Sequence, residues 1–347
     1  MQLKYFNSLL FLLLFAACEK TTVESTSWLI PQNEIRDGGP GKDGIPSIDN
    51  PAFINVSDVD FLSDDDLVVG VKVEDEIRVY PHIILDWHEI VNDQLEDLAL
   101  CLNYCPLTGT AIGWNRTIDG RVTTFGVSGL LYNTNLIPYD RLTDSNWSQM
   151  RLDCVEGELK GKSAELYPVV ETTWKNWKIS YPNSKVLSLN TGFNRQYGRY
   201  PYGDYRTSDQ LIFPVSNNDN RLPAKERVLG IIVENEVKVY RFESVSKGVN
   251  NVIQEKVKDK DIVVFGSQQS NYLVAYEART VDGATLNFTA LDGDGEAVAT
   301  DNEGNEWNVF GEAISGSRKG EKLFPTRSYI GYFFSWGAFY PQLEIYE

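Results

Sequence analysis

Residues 69–80 read VGVKVEDEIRVY, and residues 229–240 read LGIIVENEVKVY. In each stretch, two β-prone runs flank a short polar turn, which is the pattern of a β-hairpin. Other segments recur at nearly the same separation along the chain, namely RTIDG at 116–120 with RTVDG at 279–283, and Trp147 with Trp307. Self-similarity at a fixed period indicates repeated structural units. We therefore predict an internal duplication of a domain-sized unit.

The predicted fold class is α+β and β-rich, because short strands with turn signals dominate the sequence. It consists of two tandem, structurally related units. The predicted division of the chain is a signal peptide at 1–17, a tether at 18–37, a first unit carrying the site at 38–188, an ordered connector at 189–228 and a second, degenerate unit at 229–347.

The first hairpin is followed by a predicted helix and a buried strand. Pro81 suits the first turn of a helix, and Ile84, His88 and Val91 then share one face of a helix over 82–92. That helix places His88 inward, with Asn92 one turn beyond it. The apolar stretch 98–104 predicts a strand that is buried on both faces and ends at Cys105-Pro106.

The amino-terminal residues have the pattern of a bacterial lipoprotein signal. Residues 1–17 contain one Lys and an apolar run over 9–15, and Ala16-Ala17 precede Cys18. About ten apolar residues are too few to cross a bilayer core, which needs roughly 20. We therefore expect Cys18 to be the lipidated first residue of the mature protein, anchored to a membrane of the bacterial cell envelope.

Composition limits the partners and the redox state. The chain has 347 residues, 42% of them hydrophobic, which suffices for two domains. Its formal net charge of −17 repels polyanions, so nucleic acid is not an expected partner. Cys101, Cys105 and Cys154 remain after Cys18, and an odd number leaves at least one free thiol in an unlinked chain.

One polar cluster in the first unit is absent from the second. His88, Glu89 and Asp93 lie in HEIVND, which aligns with SKGVNN, and Cys105 has no equivalent thiol. A thiol beside an imidazole can ionise near neutral pH and act as a nucleophile. We therefore predict a catalytic group of Cys105, His88 and Glu89. The alternative is a Cys105 that is simply buried, as free cysteines often are.

The same side chains also suit a transition metal ion. His88 and Cys105 are the candidate metal ligands, and a site would need at least one more donor from Glu89, Asp140, Met150 or Cys154. His82, the other histidine, has no comparable polar residues near it in the sequence and is interpreted as a surface or packing residue. The predicted binding residues around the cluster are Asn92, Asp93, Gly109, Asn133, Asp140, Arg141 and Gln149.

Several strings in the chain resemble the bacterial and archaeal family of unknown function called DUF3179. They are GGPGKDGIP, WHEIVND, YCPLTGTA, FGVSGLLYNTNLIPYDR, WSQM, TTWKNW and FPV…DNRL, running from about residue 38 to past residue 230. The resemblance implies no particular activity. It matches His88, Glu89, Asn92, Asp93, Cys105, Gly109, Asp140, Arg141 and Gln149 to family positions. Many relatives carry a second Cys where this chain has Thr108, so a Cys-x-x-Cys mechanism is not expected here.

Three classes of function fit these observations. The first is thiol-based or metal-assisted chemistry on an extracytoplasmic substrate at Cys105 and His88. The second is a non-catalytic binding lipoprotein whose Trp- and Tyr-rich cleft holds a small molecule or a glycan. The third is a structural envelope component. Separation of His88 from Cys105 would move the binding protein to first place.

Overall fold

The computed structural model describes residues 28–246, 248, 250–293 and 295–347. The predicted signal peptide and the lipidation site Cys18 lie outside the described residues. Among the residues that are described, no helix is long and apolar enough to cross a membrane.

The amino-terminal part contains sixteen short strands, two α-helices and two single-turn 3-10 helices, the latter at Gln32–Glu34 and Val56–Asp58. The strands and α-helices are β1 Arg36–Asp37, β2 Phe53–Asn55, β3 Leu67–Val73, β4 Glu76–Pro81, α1 His82–His88, β5 Ile90–Leu95, β6 Leu98–Cys105, β7 Thr110–Asn115, β8 Thr117–Ile118, β9 Arg121–Val122, β10 Phe125–Tyr132, β11 Asn135–Asp140, β12 Asn146–Ser148, β13 Asp153–Glu156, β14 Leu166–Tyr167, β15 Val170–Thr173, α2 Trp174–Ser180 and β16 Lys185–Leu187.

The carboxyl-terminal part contains β17 Arg227–Val233, β18 Glu236–Arg241, β19 Asn251–Val257, β20 Lys260–Ser267, β21 Tyr272–Glu277, β22 Phe288–Ala290, β23 Ala297–Asp301, β24 Glu306–Asn308, β25 Arg327–Tyr332, α3 Phe333–Phe339 and β26 Glu344–Ile345. Between β16 and β17 the chain forms turns and irregular structure. We call residues 38–188 the first half and residues 229–347 the second half.

The α+β prediction is wrong, because strands account for 42% of the residues and helices for 9%. Each of the three α-helices has only seven residues. The strands of the described residues form seven small sheets. The predicted helix over 82–92 also stops early, at His88, and residues 90–95 form β5 instead. There β-branched Ile90 and Val91 pair with β6, and this pairing outweighs the helical periodicity.

The two halves share a local arrangement around their first hairpins. The sheet order β15-β3-β4-β16 in the first half has the same pattern as β25-β17-β18-β26 in the second. A tryptophan from the helix after the outer strand, α2 after β15 and α3 after β25, lies against a glycine in each hairpin. A Cβ on Gly70 would stand 1.9 Å from the Trp177 ring. For Gly230 and Trp336 the corresponding distance is 2.2 Å. The internal duplication of the whole unit stays a prediction.

The halves do not have separate cores. One hydrophobic cluster contains Cys105 and Trp147 from the first half together with Tyr329 and Trp336 from the second. The hydroxyls of Tyr329 and Tyr340 both donate to the backbone oxygen of Met150, at 2.6 and 2.9 Å. Each half therefore completes the burial of the other.

Candidate functional site

Cys105 lies at the end of the buried strand β6, as predicted. Its side chain is 1% exposed, and Sγ lies 3.8 Å from the backbone oxygen of Thr134. Burial, and after it the negative charge of Glu89, raise the pKa of this thiol to about 11. A thiol with that pKa is protonated at neutral pH, so the structure does not show the activated thiolate that a nucleophile needs.

His88 uses both of its ring nitrogens away from Cys105. Nδ1 lies 2.7 Å from the backbone oxygen of Pro46, and Nε2 lies 2.7 Å from the hydroxyl of Tyr197. Burial lowers the pKa of His88. Neither ring nitrogen of His88 is therefore free to hydrogen-bond the Cys105 thiol, because α1 ends at His88 and its ring faces the segments around residues 46 and 197.

Glu89 is the member of the predicted catalytic group that faces Cys105. It ends α1 with φ 57° and ψ −33°, and a positive φ is rare for a residue with a Cβ. Its backbone oxygen accepts a 2.6 Å hydrogen bond from the amide of Tyr104. Burial raises the pKa of the Glu89 carboxyl to about 7, against the opposing effect of the hydrogen bond from Tyr202.

A segment that the sequence analysis did not assign to the site covers Cys105 and Glu89. We name residues 197–206 the tyrosine strap. The hydroxyl of Tyr202 donates to Glu89 Oε1 at 2.9 Å. Those of Tyr200 and Tyr205 donate to the backbone oxygens of residues 106 and 107, at 3.1 and 2.9 Å. The density of Tyr and Arg in QYGRYPYGDYR was the available signal for this role.

A second buried carboxyl anchors the same strap. Arg206 Nη2 donates to Asp86 Oδ1 at 2.5 Å and to the hydroxyl of Tyr104 at 3.3 Å. Its guanidinium also lies over the Tyr200 ring, 4.0 Å from the centroid. Burial raises the pKa of Asp86 to about 7. Hydrogen bonds to two buried carboxyl groups, those of Glu89 and Asp86, thus hold the tyrosine strap in place over Cys105.

Asn92 and Asp93 lie on strand β5 rather than on a helix. The Asn92 amide donates to Asp49 Oδ1 at 2.6 Å and to the backbone oxygen of Phe125 at 2.8 Å, and it accepts from the amide of Phe125. Asp93 forms an ion pair with Arg78 and accepts from the Tyr80 hydroxyl at 2.7 Å. Both side chains therefore hold neighbouring segments together.

Asp140 and Arg141 stabilise turns instead of forming one site. Asp140 accepts from the amide of Thr143 at 2.8 Å and from the indole of Trp147 at 3.1 Å. Arg141 binds Asp43 and Asp49, at 3.0 and 3.2 Å, and thereby fixes the amino-terminal loop. The second half repeats the first arrangement, where the Trp307 indole donates to Asp301 at 2.8 Å.

Gly109, Asn133 and Gln149 lie near Cys105 but serve packing and hydrogen bonding. Gly109 has φ 61°, and a Cβ there would stand 3.0 Å from the ring of Tyr332. Asn133 accepts from the amide of residue 216 at 2.8 Å. Gln149 Oε1 accepts from Thr110 and from the Asn135 amide, each at 2.6 Å, in a fully buried network.

The predicted metal ligands are not joined by a third donor. Within the described part of the chain, no group of three or more His, Cys, Asp or Glu side chains is arranged to hold a metal ion. Cys154 is buried, and its Sγ lies 3.3 Å from two backbone oxygens, those of residues 146 and 156. The described cysteines Cys101, Cys105 and Cys154 are all free thiols.

His82 is buried and belongs to a group of charged residues that links the first half to the start of β17. Its Nε2 lies 2.8 Å from Glu171 Oε2, and the same carboxylate oxygen accepts from Arg227 Nη2 at 3.2 Å. Burial lowers the pKa of His82, against the opposing effect of Glu171. The ring of His82 lies 4.7 Å from that of Tyr104. The packing interpretation of His82 thus holds, and the surface interpretation does not.

Glu171 also lies in the wall of a cleft between the halves, which we name the inter-half cleft. Its volume is about 290 Å³. The lining residues are Ala111, Ile112, Gly113, Ser163, Ala164, Leu166, Tyr167, Pro168, Val169, Glu171, Leu229, Leu273, Val274, Ala275, Tyr276, Pro325, Thr326, Arg327, Ser328, Tyr329 and Ile330. A volume near 300 Å³ is at the lower end of the range for small-ligand sites.

The chain belongs to the family described as Protein of unknown function (DUF3179), whose model matches residues 42–343. The match covers nearly all of both halves and the whole tyrosine strap, and so confirms the resemblance seen in the sequence. Comparison with curated proteins and with solved structures gives no significant match.

Proposed function

We propose that this protein is a non-catalytic binding lipoprotein of the bacterial cell envelope that holds its ligand in the inter-half cleft. The cleft is the observation that carries the proposal, because residues distant in sequence build one concave surface there. Apolar, aromatic and polar side chains alternate along its walls, as is common in ligand sites.

The geometry around Cys105 favours binding over thiol chemistry. The thiol is protonated at neutral pH, the imidazole of His88 is engaged elsewhere, and the tyrosine strap lies over both Cys105 and Glu89. The inter-half cleft, in contrast, is lined by side chains that a ligand can reach, including Arg327 and Ser163, which are exposed. A small molecule or a glycan is the ligand class expected from the sequence.

The predicted lipoprotein signal at residues 1–17 is the basis for the proposed location. Lipid on Cys18 would hold the protein at the membrane, and the residues after it would place the folded part on the extracytoplasmic side. A net charge of −17 agrees with a ligand other than nucleic acid.

Thermal unfolding tests the proposal. The mature protein is mixed with a panel of amino acids, short peptides, monosaccharides and oligosaccharides, and Tm is measured. A ligand that binds only the folded state raises Tm with its concentration. We expect at least one class to raise Tm of the wild type but not of Ser328→Trp, which fills the cleft. Ser57→Trp, on an exposed residue outside the cleft, is the control. Equal shifts in all three proteins would place binding elsewhere.

A further inference from the structure

Strand β25, in the wall of the inter-half cleft, is the outer strand of its sheet, because it pairs with β17 only. The amide of Tyr332 donates to the backbone oxygen of Thr108, at 2.7 Å, and so points away from β17. Alternate residues of an antiparallel strand direct their N–H and C=O groups to the same side. The regular register with β17 therefore turns the backbone groups of Ser328 and Ile330 toward the cleft that both residues line.

Two other edge strands each direct one buried residue toward the cleft, and the β21 edge is already partly paired, since Thr326 Oγ1 donates to the oxygen of Ala275 at 2.8 Å. The amide of Thr173 donates away from β3, to the oxygen of residue 270, so Glu171 on β15 also directs its backbone away from β3. The amide of Glu277 donates away from β20, to the oxygen of residue 324, and Leu273 on β21 has the same parity. Exposed strand edges are templates for another extended chain.

The charges of the cleft favour an acidic ligand, although the protein as a whole is strongly negative. The carboxylate of Glu171 is neutralised by the guanidinium of Arg227, and Nε2 of the buried His82 lies 2.8 Å from the same carboxylate. The backbone of Arg327, in the opposite wall, pairs with β17, but its exposed side chain makes no hydrogen bond or ion pair with any other described residue. An unpaired guanidinium is well suited to bind a carboxylate by two parallel hydrogen bonds.

A second groove continues the cleft and repeats this charge pattern. It has a volume of about 210 Å³, and the lining shared by both cavities is Tyr167, Pro168, Tyr276 and Pro325. Glu312 in this groove is paired with Lys72, whereas Lys322 has no ion pair within the part of the chain that the structure describes. In the combined groove, the carboxylates of Glu171 and Glu312 are thus paired with basic side chains, whereas the basic side chains of Arg327 and Lys322 have no ion pair among the described residues.

We propose that the inter-half cleft binds a short, extended acidic peptide, which adds as a strand to Ser328–Ile330 and places a carboxylate on Arg327. This rests on the proposed binding function and names its ligand class. A peptide is favoured over a glycan because backbone donors and acceptors at strand edges match another backbone. Only about three residues of the peptide can pair with β25, because the backbone oxygen of Thr108 already accepts the hydrogen bond of the Tyr332 amide.

Titration calorimetry with synthetic peptides tests this inference. The probe is acetyl-Val-Asp-Val-Asp-Val-amide, and the matched controls are the Asn analogue and a version methylated on alternate backbone nitrogens. We expect the Asp peptide to bind the mature protein roughly tenfold more tightly than the Asn peptide, and the methylated peptide not to bind. Arg327→Gln should remove the preference for Asp, and Arg121→Gln, on an exposed residue outside the cleft, should keep it.

The outcomes separate this inference from the proposed function. Equal affinity for the Asp and Asn peptides would overturn the role of Arg327, and binding of the methylated peptide would overturn strand addition. If no peptide binds but a saccharide raises Tm of the wild type and not of Ser328→Trp, the peptide inference fails while the binding function stands. If nothing binds in the cleft, both fail.

Discussion

The hydroxyl of Tyr202 donates a 2.9 Å hydrogen bond to Oε1 of Glu89. The carboxyl group that the sequence predicted to be catalytic is therefore held by a residue 113 positions further along the chain. This contact and the one between Arg206 and Asp86 fix the tyrosine strap over Cys105. Two buried acid groups with raised pKa values therefore control how firmly the strap is held.

Glu89 should make stability depend on pH. Burial raises its pKa in the folded state from 4.5 to about 7, so the folded state holds the proton more tightly than the unfolded state. This favours folding below about pH 4.5, and the advantage is lost as pH rises to about 7. The change is about 3 kcal/mol in the free energy of unfolding.

Urea unfolding at pH 5 and pH 8 measures this effect. The free energy of unfolding of the wild type should fall toward pH 8 by more than that of Glu89→Gln, because the amide does not ionise. The matched control is Glu306→Gln, on an exposed residue, which should follow the wild type. An identical pH dependence in wild type and Glu89→Gln would show that Glu89 is ionised in the folded protein.

The Cys105 thiol should be unreactive in the folded protein. Its pKa of about 11 leaves little thiolate at pH 7.5, and the strap covers it. We expect iodoacetamide to modify Cys105 far more slowly than an unfolded-chain thiol, and Tyr202→Ala to increase the rate by loosening the strap. Peptide mass spectrometry measures both rates, with Cys154 as internal reference. Rapid alkylation of the folded wild type would restore the thiol mechanism.

Asn92 should contribute to stability rather than to binding. Asn92→Ala would leave the buried backbone N–H and C=O of Phe125 without their side-chain partner, which costs about 1–3 kcal/mol. Denaturant unfolding measures this loss. Peptide affinity should stay at the wild-type value, since Asn92 does not line the inter-half cleft. Lost affinity in a folded Asn92→Ala protein would contradict this assignment.

The glycines beneath the two tryptophans should tolerate no side chain. A methyl group on Gly70 or Gly230 would overlap the ring of Trp177 or Trp336, so each Ala variant should lose about 1–3 kcal/mol of unfolding free energy. Gly248→Ala, where the nearest atom lies 3.6 Å from the new Cβ, is the control. Unchanged stability of Gly70→Ala would mean that the tryptophan is not fixed there.

Local sequence patterns predicted the hairpins and the buried strand, but not the site. Residues 67–81 form the expected hairpin, and the buried strand expected over 98–104 forms and extends one residue further, to Cys105. The helical spacing of Ile84 and His88 was correct for one turn, and then the positive φ of Glu89 ended the helix. Periodicity cannot foresee such a conformation, because long-range pairing with β6 supports it.

The contacts that define the site depend on tertiary structure. Tyr202 reaches Glu89, and Arg206 reaches Asp86, from a connector without regular periodicity, so no spacing rule could pair them. The inter-half cleft likewise exists only because edge strands from both halves meet. Sequence identified Cys105 and Glu89 as neighbours of a polar site, while the residues that cover or flank it required the fold.

Native mass spectrometry of the protein purified in mild detergent from the cells that produce it tests the central claim most directly. We predict that the wild type carries a bound ligand of defined mass, which is absent from Ser328→Trp and present in Ser57→Trp. A wild type that stays empty even after incubation with envelope extract, or the same bound mass in Ser328→Trp, would contradict a ligand site in the inter-half cleft.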